Sequence, residues 1–382
     1  MSRLGKLFRV ATAVTATTLV ADRAAAQHTQ PPGCPPPPAC PPTQPYSVTP
    51  GQPYSLFPAT PPAEPTPGTL PDLTPSAPVA AATEPTPSFA STLAGAGVGE
   101  SAAVALGGYI DNAVPVTMFR LRYDTAYRNN RPDRAEFFYA KCGCFRDVTP
   151  PQLDAHGPPL PETSVDYQEL APYFEYAFAP RLSAFLTVPI RFLNPDVNRN
   201  TEGLSDVSFG FKYALVYCPD QVLTFQLRAI APSGNTFDGL GTGNWWLEPG
   251  LLYLRQMSPR WQMFGELRDQ IPLSPRSDFT GNVLRYGLGT SVMAVRGDRG
   301  YVAPVAEVVG WTVLNGKELA DNEVVNARGA TIVNAKLGLR LGFGKDDCNS
   351  QYRNDIYIGY GRSLTGEVWY KDVVRAEYRR FF

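Results

Sequence analysis

The sequence predicts an all-β fold: an antiparallel transmembrane β-barrel of about twelve strands behind a disordered N-terminal arm. Three observations predict it. From Val114 to Phe382 the chain runs in segments of about 10 to 16 residues that alternate apolar and polar side chains, the period of strands with two unlike faces. The connections alternate between short turns and longer loops, as in outer-membrane barrels. No run of 18 apolar residues occurs, although 43% of the 382 residues are hydrophobic and 12% aromatic, so crossing a membrane by helices is not expected.

In chain order, residues 1–26 read as a secretory signal. Arg3, Lys6 and Arg9 start it, Val10 to Ala21 is mostly apolar, and Ala24-Ala25-Ala26 offers a cleavage site before Gln27. Residues 27–112 read as a Pro/Ala/Gly-rich disordered arm and linker. Between 31 and 90 lie 21 of the 39 prolines, which remove donors and block helix and sheet alike. Gly95-Ala96-Gly97-Val98-Gly99 has no strand before it and no Lys after it, so 91–112 reads as a linker or short plug-like helix, not a phosphate loop.

Residues 113–382 are the expected barrel. Strands are expected at about 115–127, 166–178, 181–193, 204–217, 221–232, 244–256, 260–271, 282–295, 300–313, 328–344, 353–362 and 368–382. The fourth sets Val207, Phe209, Phe211, Tyr213, Leu215 and Tyr217 against Ser208, Gly210, Lys212 and Ala214. The tenth sets Val333, Ala335, Leu337, Leu339, Leu341 and Phe343 against Asn334, Lys336, Gly338 and Arg340. Short turns fall at Ala179-Pro180, Cys218-Pro219-Asp220, Ser258-Pro259 and Gly297-Asp298-Arg299, with longer loops at 128–165, 194–203, 233–243, 272–281 and 314–327. Phe178, Tyr217, Trp261, Phe343 and Phe382 lie near the short-turn ends, at the depth that aromatic rings favour in a bilayer. An even strand number puts both barrel ends on the periplasmic side. In lipid an open sheet edge leaves backbone groups unpaired, so the first strand must pair with the last. The expected surroundings are outer-membrane lipid, and a C-terminal strand ending at Phe382 suits the barrel-assembly machinery.

Two stretches resemble a bacterial outer-membrane barrel family described as transporters of the phenol-degradation pathway (MetA type). They are Gly203-Leu204-Ser205-Asp206-Val207, running into Phe209 to Tyr213, and Ala231-Pro232-Ser233-Gly234-Asn235, continuing through Gly239-Leu240 to Gly241-Thr242-Gly243-Asn244-Trp245. The resemblance covers roughly residues 166 to 382. It implies transport; the proline-rich arm is not part of it.

Chemistry is sparse. His28 and His156 are the only histidines, too few for a Ser–His dyad on rigid strands or for zinc catalysis; no enzyme activity, metal or cofactor is expected. A net charge of -1 gives no basic excess for nucleic acid. Cys34, Cys40, Cys142, Cys144, Cys218 and Cys348 leave pairing open. The period-2 register points Arg120, Arg122, Arg191, Lys212, Arg228, Arg268, Arg285, Lys336, Arg340, Lys371, Arg375 and Arg379 inward, with Asp124, Glu175, Glu248, Glu266, Glu307 and Glu377 as the acids. Trp246, Leu252 and Trp311 share that side. These charges either form a network that fills the lumen or line a narrow pore that favours anions. Two readings stand: a passive channel for small solutes, anionic or aromatic among them, or a non-conducting anchor whose arm or outer loop, dense in charge and aromatics from Asn129 to Phe145, binds a partner. A soluble exported β-sandwich is the third.

Overall fold

The computed structural model describes residues 105–130, 157–160, 162–273, 280–297, 299–320, 323–345, 352–366 and 368–382. Twelve strands follow in order: β1 (Met118–Asn129), β2 (Val165–Ala179), β3 (Leu182–Thr187 and Ile190–Pro195), β4 (Thr201–Leu204 and Ser208–Tyr217), β5 (Gln221–Ile230) and β6 (Trp245–Ser258). They continue as β7 (Trp261–Leu273), β8 (Val283–Val292 and Val295–Arg296), β9 (Gly300–Val313), β10 (Thr331–Lys345), β11 (Tyr352–Ser363) and β12 (Asp372–Phe381). Each pairs antiparallel with its sequence neighbours, and β1 pairs with β12 from Met118↔Phe381 to Tyr127↔Asp372. The sheet closes on itself, so the expected barrel holds and the two-sheet sandwich does not. Closure leaves neither the first nor the last strand with a free edge, the condition a spanning sheet must meet.

The two faces are inverted relative to a water-soluble protein. On β10, Leu337 and Leu339 are 65% and 50% exposed, whereas Lys336 and Arg340 are 3% and 0% exposed. Phe209, Phe211, Tyr213 and Leu215 face outward on β4, as do Leu288 on β8 and Ile358 on β11. An apolar belt outside and ionised groups inside fit lipid around the barrel and a polar lumen within it. Phe178, Trp261, Phe343 and Phe382 lie on the outside.

Tyr217 departs from that pattern. The register shifts between Ala214 and Val216 against β5, and this bulge turns Tyr217 to the buried side. Three strands, β3, β4 and β8, are interrupted. β3 is interrupted at Val188-Pro189, and Pro189 has no N–H to give, though its carbonyl still accepts from Ser205 at 2.9 Å. The long loop after β9 carries a hairpin, Lys317–Ala320 paired with Glu323–Asn326, where the sequence predicts only a loop.

Residues 105–112, expected at the end of the arm, do not lie outside the barrel. With 113–116 they run inside the lumen as an irregular re-entrant segment with no helix. It begins beside Gln262 and Arg379 near the short-turn end, reaches mid-height at Tyr109 and Ile110, and returns past Lys212 and Glu175 to β1. The signal segment, the proline arm, both histidines, residues 131–145 and all cysteines except Cys218 lie outside the described residues. Cys218 is a free thiol in the β4–β5 turn.

Candidate functional site: a plugged lumen

A buried backbone must find partners for its N–H and C=O groups, and the plug has almost no partners of its own. Only Asn112 ties it together: its Oδ1 accepts from Ala105 N at 3.1 Å and Val114 N at 3.2 Å, and its Nδ2 donates to Val114 O at 2.8 Å. The barrel wall supplies the rest. Arg379 donates to Ala105 O at 3.0 Å, Arg340 to Leu106 O at 2.9 Å and to Gly107 O, Arg375 to Gly108 O at 2.7 Å, and Arg285 to Tyr109 O at 3.0 Å. Lys212 donates to Asn112 O at 3.0 Å and Thr224 to Ala113 O at 2.5 Å. In the other direction, the N–H groups of Gly108, Tyr109 and Ile110 converge on the Glu307 carboxylate at 2.9–3.3 Å. Hydrogen bonds to ionised groups contribute about 1.5–3 kcal/mol each, so this tip is the best-anchored part of the segment.

The plug also brings in one carboxylate. Asp111 accepts from Arg120 at 3.2 Å, Arg228 at 2.6 Å and Arg268 at 2.9 Å. Around it the wall pairs its own charges. Glu248 holds Arg228 and Arg268 at 3.1 and 3.3 Å. Glu266 holds Arg268, and Arg285 at 2.6 Å. Glu377 holds Arg340 at 2.8 Å, and Arg375 meets Asp124 at 2.7 Å. Arg122 and Arg191 share Glu169, the latter at 2.6 Å. Of the eighteen charges expected to point inward, seventeen, including Arg120 and Glu377, lie in this network or against the plug, whereas Lys371 lies apart, beside Arg128 and Asp166. Most of them clamp a segment of the same chain or pair with one another. Trp246 and Leu252 are fully buried on the same side.

Two inward acids escape the sequence reading, Glu169 and Asp355. Glu169 shares parity with Glu175, and Asp355 with buried Tyr357, so the alternation itself could have found both. Asp355 accepts from Arg340 at 2.5 Å and Arg379 at 2.7 Å. The plug departs from both readings of 91–112, linker and short plug-like helix: Ala, Gly and one Asp fill the lumen as an irregular stretch without a helix.

Toward the long-loop end the lumen widens into a vestibule of about 250 Å³ whose floor is Tyr109 and Asp111. Its wall carries Arg122, Arg191, Arg228, Arg285, Lys336 and Arg375 beside Asp124, Glu169, Asp206 and Glu248, with Trp311, Trp369 and Tyr370. Lys336 stands 3.6 Å from the centre of the Tyr109 ring and donates to the Tyr370 hydroxyl at 2.7 Å, an ammonium held on aromatic faces.

Asp206 fixes the vestibule rim. It sits between the two pieces of β4 and accepts from Gly234 N at 3.0 Å, Thr242 N at 2.8 Å and Thr242 Oγ1 at 3.0 Å. Ser205 donates to Leu240 O at 2.6 Å, and Trp246 Nε1 to Thr242 Oγ1 at 2.9 Å. The two stretches that carry the family resemblance are therefore one unit in space: Asp206 of the first holds the loop formed by the second. A Cβ on Gly241 would come within 2.4 Å of Asp206 Oδ1, which explains a glycine there by close approach.

No protein-family profile matches the chain, and no curated protein does. Among solved structures it is similar to the COG4313 outer membrane channel from Pseudomonas putida F1, at 13% identity and a TM-score of 0.45 over 73% of this chain and 100% of that one. It is also similar to the NanC porin, at 10% identity and a TM-score of 0.41 over 69% and 99%. The translocator domain of the autotransporter NalP from Neisseria meningitidis matches at 10% identity and a TM-score of 0.40 over 73% and 91%.

Proposed function

We propose that this chain is an outer-membrane barrel that passes small solutes, anionic or aromatic ones among them, and that the segment 105–116 is its gate. The observation that carries this reading is the division of the lumen. A charged and aromatic vestibule leads down from the long-loop end and stops on Tyr109 and Asp111. The seal consists of hydrogen bonds and ion pairs to a segment that continues through Thr117 into β1. Charge-paired walls narrow the passage and leave it polar, which suits small solutes. The aromatic part rests on Trp311, Trp369 and Tyr370 and agrees with what the family resemblance implies. In this reading the short-turn end and the proline-rich arm lie in the periplasm, and Phe382 closes the strand that the assembly machinery would take up.

The test is planar-bilayer recording of the full refolded chain under a salt gradient. The parent should give rare, small openings. A variant with 105–116 replaced by a Gly-Ser spacer of equal length should give steady steps with anion preference, weakened when Arg228 and Arg340 are neutralised. A spacer variant that inserts and stays silent would overturn conduction and leave a structural anchor.

A further inference from the structure

We infer that the three arginines around Asp111 form an anion-recognition site of the lumen, occupied here by the chain's own carboxylate. Small carboxylate solutes arriving through the vestibule compete with Asp111 for it. This deepens the reading of the lumen as a gated passage and names what the gate responds to.

The geometry is that of a built site. Arg120, Arg228 and Arg268 come from three different strands, β1, β5 and β7, yet converge on one carboxylate within 2.6–3.2 Å. The Arg268 side chain is completely buried, while Asp111 and Arg228 keep 13% and 14% exposure toward the vestibule. A solute therefore reaches the site from above, and the arginines are already stripped of most water. Asp111 is the only acidic residue between 105 and 116.

The wall alone does not balance these charges. Without Asp111, Arg228 and Arg268 share Glu248, Arg268 also shares Glu266 with Arg285, and Arg120 keeps only Glu377, at 3.9 Å and already bonded to Arg340. Buried charge left short of a partner is costly, so the vacated pocket draws an anion from solution. A planar carboxylate matches the guanidinium fork, which a spherical halide does not. Asp111 is thus a tethered competitor. When a solute carboxylate takes its place, the plug loses its ion pairs with the wall and keeps only hydrogen bonds, so the anion that binds also loosens the segment in its way.

The experiment is chemical complementation of the full chain in detergent. Asp111→Ala removes the tethered carboxylate and leaves room for a free one. At constant ionic strength, with acetate exchanged for chloride, the variant's thermal midpoint should rise saturably. Its half-saturation should lie at least tenfold lower in acetate than any response of the parent. Asp111→Ser gives the same comparison should the alanine barrel not refold. Equal acetate responses in parent and variant, or none in the variant, would overturn the site. The readout is binding, so a barrel that binds acetate but never conducts upholds the site and overturns only the channel.

Discussion

Gly108 offers the sharpest perturbation of the gate. A Cβ at this position would lie 2.1 Å from Cζ of Tyr357 and 2.3 and 2.6 Å from its two Cε atoms. The ring has nowhere to retreat. It is fully buried, and Cβ atoms on Gly338 and Gly359 would come within 2.3 and 2.2 Å of its hydroxyl oxygen. The plug must therefore give way in Gly108→Ala. Overpacking of this kind costs about 1–3 kcal/mol. At about 1.4 kcal/mol per tenfold, that raises the plug-withdrawn population roughly 5- to 150-fold. It does not empty the lumen. The tip is still held by three N–H groups on Glu307 and by Arg375 and Arg285 on its carbonyls, and at about 1.5–3 kcal/mol each these outweigh the strain. The expected record is more frequent openings of unchanged unit size. The double variant Gly108→Ala/Tyr357→Ala returns space to the ring site and should recover parental gating, the coupling that contacting residues show. The reasoning is refuted if Gly108→Ala gates like the parent, or if the double variant opens as often as the single one.

Other consequences follow from groups far from the plug. Glu162 precedes β2 and accepts from the amides of Val197 and Asn198 at 2.9–3.1 Å. Burial raises its carboxyl pKa, but hydrogen bonds from Asn198, Thr163 and Val197 outweigh that and hold it below the usual carboxylate range. The folded pKa is depressed, so the stabilisation is complete above the ordinary carboxylate value and lost as pH falls through the lowered one. Protection of the Val197 and Asn198 amides, taken relative to the intrinsic exchange rate at each pH, should fall in acid, and in Glu162→Gln it should already be lower at neutral pH. Asp206→Ala strips the rim loop of three bonds to a carboxylate and should destabilise that loop by at least about 1.5 kcal/mol; limited proteolysis within 231–244 of an intact barrel measures it. Leu339→Arg, near mid-height on the apolar belt, should cost about 2–4 kcal/mol in denaturant titrations of the barrel in lipid, and a cost near zero would argue that this face does not meet lipid.

The sequence carried the barrel because each strand had to present two faces to two solvents, and alternation records that demand residue by residue. It carried the inward charges for the same reason, since Lys212, Arg268 and Arg340 occupy the polar phase of otherwise apolar segments. It misplaced Tyr217 because a bulge at Ala214/Val216 adds one residue without a composition signal. It left 91–112 as linker or a short plug-like helix, and the observed segment is not helical, because residues 105–116 keep their shape through wall side chains up to 274 positions away. The segment is neither helix nor strand, so no periodicity marks it. The excess of inward bases was the one visible trace: those charges had carbonyls to hold, and carbonyls do not show in a count of acids.

The plug has a consequence for how the barrel is made. It runs through Thr117 into β1, and its carbonyls dock on Arg375 and Arg379 of β12, the strand that meets β1. The seam and the filling are adjacent both in sequence and in space. Arg340 of β10 donates to the same segment, at Leu106 O, and Asp355 of β11 ties Arg340 to Arg379. The last strand is thus held to the segment that leads into the first. The filling of the lumen and the junction of its first and last strands therefore share one set of contacts, and a change that loosens either reaches the other.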